Sequence, residues 1–274
     1  MKKILVPTDF SKEAEQATRV AAKLAKKNDC ELVLVHMLDL PTNNHFTKKP
    51  ASPMPEVLFF MKLAQKKFED LLAMEFLKGI SVKEMVDFQE MSQGIMTVCK
   101  SENIDLIIMG SHGADGLKEM FIGSNAEKVV RISNVPVMVI KNEHTDFEIN
   151  NFVFASDFNN DNKETYNQAV KLAQLFEAKL HLLMVITGSN FITTAKAKTR
   201  ISDFTSINSF KNYTTNIYND NSIEEGVLNF SHINNTDLIG ISTHGRQGIA
   251  HFFNGSISED LVNHAKRPVI TFKI

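Results

Sequence analysis

Two glycine-bearing stretches are where this sequence could do chemistry. The first reads Gly110-x2-Gly113-x9-Gly123-Ser124. Backbone without a Cβ can approach a ligand closely or take φ > 0, and backbone amides at a helix N-terminus favour an anion. The chemistry implied is phosphate binding. Gly110 and Gly113 are expected to allow close approach or positive φ, and Gly123 to do the same just before a helix. Ser124 is expected to cap that helix and to offer its hydroxyl to a phosphate oxygen. A G-x-x-G pair alone more often only makes a tight turn. Here the later Gly-Ser, an apolar strand before and a helix after all fall where a phosphate loop needs them.

The second stretch, Ser242-x2-Gly245-x9-Gly255-Ser256, has serine in the first glycine's place. At a φ > 0 position that serine costs about 1–2 kcal/mol. Where close approach matters instead, its hydroxymethyl group would crowd a phosphate. The expectation is a weak or empty second site built on Asp157, Ser242, Gly245, Gly255 and Ser256.

The elements that hold these stretches repeat. Asp105–Lys141 aligns with Asp237–Lys273 at a constant offset of 132, with Asp105/Asp237, His112/His244, Gly113/Gly245, Gly123/Gly255, Ser124/Ser256 and Pro136/Pro268 among the identical pairs. Chance agreement would be roughly one position in seventeen. The early parts match at an offset of 148, where Pro7-Thr8-Asp9-Phe10 meets Ala155-Ser156-Asp157-Phe158. The first copy therefore has the longer middle, and its four prolines (Pro41, Pro50, Pro53, Pro55) read as a loop. The domains expected are 1–144 and 145–274, joined by the short polar stretch 142–148.

In the first copy the pattern predicts strands at Lys3–Val6, Glu31–Met37, Ser81–Phe88, Asp105–Met109 and Val137–Ile140. It predicts helices after Ser11, at Glu56–Leu77, at Gly94–Glu102 and at Ser124–Ile132. The second copy repeats this, with its second helix somewhere in Ser189–Ser209. Strands that are apolar without alternation, each followed by a helix, imply a parallel sheet covered on both faces. In such sheets ligands bind beyond the carboxyl ends of the strands, where strand order reverses.

The 274 residues carry 30 Lys+Arg against 32 Asp+Glu, a net charge of −2. That leaves no polybasic footprint for nucleic acid. No apolar run reaches the ~18–20 residues of a membrane span, and Asp9 follows the short Ile4–Pro7 run too soon for a signal peptide. Cys30 and Cys99 lack metal or disulfide spacing and read as reduced core thiols of a cytoplasmic protein.

Lys2-Lys3-Ile4-Leu5-Val6-Pro7-Thr8-Asp9-Phe10-Ser11, the strand end Val35-His36-Met37, and Asp105-Leu-Ile-Ile-Met-Gly-Ser-His-Gly113 through Gly123-Ser124 together resemble the universal stress protein family. The motif G-x2-G-x9-G-[ST] is similar to that of the family's ATP-binding subgroup. The resemblance implies two tandem five-stranded parallel α/β sandwiches, Rossmann-like and akin to adenine nucleotide alpha hydrolases. They would pack as an intramolecular pseudo-dimer through their final strands, and a homodimer of such chains is also open. It implies adenine and ribose near Pro7, Thr8, Asp9 and Met37, phosphates on Gly110, His112, Gly113, Gly123, Ser124 and Asn125, and Met109 among the nucleotide-binding residues. The ligand implied is ATP, ADP or AMP, with or without Mg.

Several of these residues have plainer readings. Asp9 could cap the next turn, His112 could only position its loop, and His36 reads as a satisfied core histidine. Phosphoryl transfer needs metal-holding carboxylates and a cation at the transferred phosphate. The loop has no Gly-Lys-[Ser/Thr] lysine, and no Ser-His-Asp, Cys-His or metal set stands out. The expectation is a nucleotide-binding regulatory module of the stress response, at most a slow ATPase. The alternative is an ATP-cleaving or adenylyl-transferring enzyme of the same α/β class.

Overall fold

A computed structural model describes residues 1–38, 54–111, 123–141, 147–243 and 261–274. The first half runs β1 (Lys3–Pro7), α1 (Lys12–Asn28), β2 (Glu31–Met37), α2 (Met54–Leu72), β3 (Val82–Asp87), α3 (Met91–Glu102), β4 (Leu106–Gly110), α4 (Ser124–Ile132) and β5 (Val137–Ile140). The second runs β6 (Asn151–Ala155), α5 (Lys163–Phe176), β7 (Lys179–Ile186), α6 (Thr194–Thr205), β8 (Tyr213–Asn219), α7 (Ile223–Ile233), β9 (Leu238–Thr243) and β10 (Val269–Lys273). The expected helix at Glu56–Leu77 is shorter. Past Leu72 the backbone turns extended at Met74, and a 3-10 turn at Glu75–Leu77 buries Leu77.

Among the described residues ten strands form one sheet in the order β3-β2-β1-β4-β5-β10-β9-β6-β7-β8. Pairing is parallel within each half and antiparallel only between β5 and β10. Each half therefore has the order 3-2-1-4-5, which reverses between its first and fourth strands. The register at the seam is self-reciprocal: Val137 faces Thr271, Val139 faces Val269, and Met138 faces Ile270. At the offset of 132 these pairs exchange into one another, so a local two-fold runs through Met138 and Ile270. Two lysines reinforce the seam. Lys141 Nζ donates to the carbonyl of Asn263, and Lys273 Nζ donates to that of Ile132 at 3.2 Å. Ile132 is the last residue of α4, where carbonyls lack helical partners and a cation is favoured.

The strands are apolar throughout because both faces are covered. Ile4, Val6, Leu32 and Leu34 face one core with α1, α2, α5 and α6. Leu5, Val33 and Val35 face the other with α3, α4, α7 and the helical turn at 261–264. The halves fill equivalent cores differently. Ile4, Val6, Ile108 and Ile140 of the first correspond to Phe152, Phe154, Gly240 and Phe272 of the second. A Cβ on Gly240 would lie 2.7 Å from the Phe152 ring, so the missing side chain makes room for the aromatic cluster. Volume is conserved while shape changes, which close-packed cores tolerate.

The repeat identities now have structural reasons. Asp105 Oδ2 accepts from the amides of Lys2 and Lys3 (2.6 and 3.1 Å), and Asp237 Oδ2 accepts from those of Asn150 and Asn151 (2.9 and 2.8 Å). Each aspartate ties the start of the first strand of its half to that of the fourth.

Candidate functional site

In the first half the predicted site residues gather at one edge of the sheet. Pro7, Thr8 and Asp9 end β1, Met37 ends β2, and Met109 and Gly110 end β4. These three strands are neighbours across the point where strand order reverses. Gly123, Ser124 and Asn125 join them because the Gly123 amide donates to the Ser111 carbonyl at 2.6 Å, bringing the start of α4 to the end of β4. His112 and Gly113 lie outside the described residues, as do Gly245, Gly255 and Ser256 of the second half.

The loop after β1 is tightly built. The Thr8 amide donates to the Val35 carbonyl (2.8 Å), the Thr8 hydroxyl accepts from the Phe10 amide (3.0 Å), and Asp9 Oδ1 accepts from the Ser11 amide (2.9 Å). Phe10 takes φ 64, a left-handed position that bulky residues rarely occupy. Ser11 then caps α1 by accepting from the Ala14 amide. His36 is the satisfied histidine expected. Its Nδ1–H donates to the Thr8 carbonyl at 2.7 Å, and its ring lies 4.7 Å from that of Phe10.

The glycines work differently from the expectation. Neither Gly110 nor Gly123 has positive φ: Gly110 is the last residue of β4, and Gly123 is extended at φ −61, ψ 145. The space around Gly110 is limited by α1, since a Cβ there would lie 2.9 Å from the backbone C and O of Glu13. Gly123, not Ser124, is the N-cap of α4. A glycine cap has no side chain to satisfy the first-turn amides. By contrast α1, α3, α6 and α7 are capped by side-chain oxygens of Ser11, Glu90, Thr193 and Ser222. Ser124 and Asn125 are exposed in the open first turn of α4.

One residue of this region escaped the sequence reading. Gly94, in the first turn of α3, lies under Met37, and a Cβ there would come within 2.8 Å of Met37 Sδ. Its counterpart Gly226 lies the same way under Val185, the counterpart of Met37. The pair Gly94/Gly226 falls at the offset of 132, and extending the repeat comparison upstream of Asp105 would have found it.

The second half keeps the loop's skeleton and changes its side chains. The Ser156 amide donates to Leu183 (3.0 Å), the Ser156 hydroxyl accepts from Phe158 (3.0 Å), and Asp157 Oδ1 accepts from the Asn159 amide (3.1 Å). These repeat the first-half bonds one for one, and Phe158 repeats the positive φ at 54. Asp157, however, is 7% exposed, and Asn159 and Asn162 both donate side-chain amides to its carboxylate. Ser242 is fully buried in β9 without positive φ. Its hydroxyl donates to that of Thr165 (2.8 Å), which donates to the Asn162 carbonyl (2.9 Å). There is room because Asp161, the counterpart of Glu13, lies in a 3-10 turn at Asn160–Asn162 and α5 begins only at Lys163. The serine thus neither strains the backbone nor points toward a ligand; it is tied into the core.

Both thiols are reduced and buried. Burial raises both, pushing Cys99 up to about 12. Among the described residues no helix is long and apolar enough to cross a membrane.

Known proteins are similar to this chain in fold and in sequence. The model of the universal stress protein family matches residues 1–141 and 214–273. Universal stress protein MJ0577 of Methanocaldococcus jannaschii is 31% identical over 160 residues, covering 53% of this chain and 97% of that one. YxiE of Bacillus subtilis is 28% identical over 145 residues, covering 51% and 98%. A crystal structure of a universal stress protein from Archaeoglobus fulgidus superposes with a TM-score of 0.75 at 20% identity, covering 99% of this chain and 98% of that one. With the tandem fold, the strand-end loops and the family match in agreement, this chain belongs to the universal stress protein family.

Proposed function

We propose that the chain is two units, 1–144 and 145–274, and that the first binds one adenine nucleotide, ATP foremost, at the carboxyl ends of β1, β2 and β4. The observation that carries this is the glycine-capped start of α4, drawn against β4 where strand order reverses. A helix N-terminus left uncapped by a side chain favours phosphate. Thr8 and Asp9 stand at the neighbouring strand end for ribose and adenine, with Met37 over Gly94 as the apolar wall. The loop Gly110–Ser124 supplies the phosphate contacts, with or without Mg. Occupancy, rather than turnover, is the output, and a protein partner reads it.

The second unit's own switch point stays empty. Asp157 is engaged by Asn159 and Asn162, and Ser242 by Thr165. Calorimetric titration with ATP is expected to give one nucleotide per chain. Asp9→Ala should weaken binding tenfold or more, and Asp157→Ala should leave affinity and stoichiometry unchanged. A stoichiometry of two, or an Asp9→Ala variant that binds as wild type, would sink this reading.

A further inference from the structure

The second half carries a concavity beside the loop after β6. It encloses about 560 Å³ between the loop after β6 and the helices α5 and α6. That is within the range of small-molecule sites, ~300–1,000 Å³. It lies on the face of the sheet covered by α1, α2, α5 and α6, away from α3, α4 and α7.

Its chemistry is cationic. Lys163, Lys196 and Arg200 line it, against a single carboxylate, Asp203. Among the described residues none of the three forms an ion pair. Arg200 Nη1 donates to the Asp157 carbonyl at 3.4 Å, which holds the guanidinium against the loop. The floor is apolar: Phe158 and Phe204 are buried with ring centroids 5.3 Å apart, edge to face.

The positions of the two lysines run against local preference. Lys163 is the first residue of α5, and Lys196 lies in the first turn of α6. Helix starts favour acids, because the dipole there is already positive. Glu164 follows Lys163 in the first turn of α5, whereas α6 has no acid in its first turn to offset Lys196. Two helix starts, each with a lysine, thus converge on one concavity and add their potentials to that of Arg200. The first half keeps the aromatic pair, Phe10 against Phe68, with Lys67 Nζ 5.2 Å from the Phe10 ring centroid, but its α2 also exposes Leu58, Phe59, Met61 and Leu63.

From this cluster we infer that the second unit binds a small polyphosphate-bearing anion in the α5–α6 concavity, a site separate from the nucleotide cleft of the first unit. The three cations match the charge of a diphosphate. The aromatic floor accommodates an organic part when the diphosphate is esterified.

The test is calorimetric titration of the full chain with sodium pyrophosphate at low and at physiological salt. Wild type is expected to bind at this site with an affinity that falls steeply with salt. Lys196→Gln with Arg200→Gln should weaken that binding at least tenfold and leave the melting temperature in place. Lys198→Gln, on the same helix but outside the concavity, should leave it unchanged; Gly113→Val removes pyrophosphate held at the first unit's loop and should retain the component that Lys196→Gln with Arg200→Gln abolishes. An ester such as a nucleoside diphosphate binding more tightly than pyrophosphate in the Gly113→Val background would place an organic part on the aromatic floor; equal binding would assign the site to the free anion. No binding, equal weakening by Lys198→Gln, or loss in Gly113→Val with retention in the double variant would overturn the inference. None of these results bears on whether Asp9→Ala weakens ATP, so the two readings fail separately.

Discussion

Exchanging Gly110 and Ser242 tests what the first position of the glycine motif is for. In Gly110→Ser the new Cβ would lie 2.9 Å from the carbonyl carbon and oxygen of Glu13 and 3.2 Å from its Cβ. Comfortable separations between such atoms are about 3.5–4.0 Å, so the backbone of α1 must move by half an ångström or more. Overpacking of this kind costs about 1–3 kcal/mol. At about 2–4 °C per kcal/mol for chains approaching this size, the nucleotide-free protein should melt roughly 2–12 °C lower. The reverse change, Ser242→Gly, should also destabilise. It removes a buried hydroxyl bonded to Thr165 and places glycine inside a strand, terms of about 0.5–1.5 and 0.5–1 kcal/mol. Scanning calorimetry of both variants without nucleotide is the assay. A Gly110→Ser protein that melts like wild type while losing ATP affinity would refute the reasoning, because the glycine would then serve the ligand and not the contact with α1. A stabilised Ser242→Gly would refute the account of the second half.

Two further outcomes follow from burial. Burial lowers Lys141 from 10.5 to about 8 in the fold, so between those values the unfolded chain holds a proton that the folded one does not; urea midpoints should show wild type gaining on Lys141→Met from about pH 8 to about 10.5, with a flat difference below pH 8, and a gain confined to acid pH would contradict the assignment. Cys99, held at about 12 by burial, and Cys30, also raised, should react with a disulfide reagent at pH 8 only as fast as the chain opens, so stoichiometric labelling of the native protein within seconds would show that they are accessible.

The fold was legible because its signals are redundant. Strands buried on both faces leave unbroken apolar runs, and two copies of the same run confirm each other; Glu31–Met37, Ser124–Ile132 and Val137–Ile140 have the bounds their patterns predict. That Pro7, Met37 and Gly110 share one sheet edge was legible from their places at strand ends; the reasons for the glycines were less so. Glycine in a sequence says that a side chain is unwelcome, not what excludes it. At Gly110 the obstacle is a helix backbone ninety-seven residues away in sequence, and at Gly94 it is the sulfur of Met37. Neither contact leaves a periodic trace. The engagement of Asp157 was equally hidden, because Asn159 and Asn162 acquire meaning only once the loop brings them to the carboxylate.

The seam explains why the halves could part ways. In a homodimer closed by two-fold symmetry every substitution appears twice, so a change that fills one cleft fills both. Here one chain supplies both sides of the seam. The constraint on β5 and β10 stays reciprocal, with Met138 against Ile270 and a lysine reaching across from each half. Everything beyond the seam can differ. The loop after β6 shows how far that has gone. The three hydrogen bonds its backbone amides donate match those after β1, yet its acid turns inward to Asn159 and Asn162 on one side. On the other, its Asp157 carbonyl holds Arg200 at the mouth of a basic concavity. Turning the Asp157 carboxylate inward and setting Arg200 beside the concavity are then two consequences of repacking a single loop, and neither requires a change in the sheet that carries it.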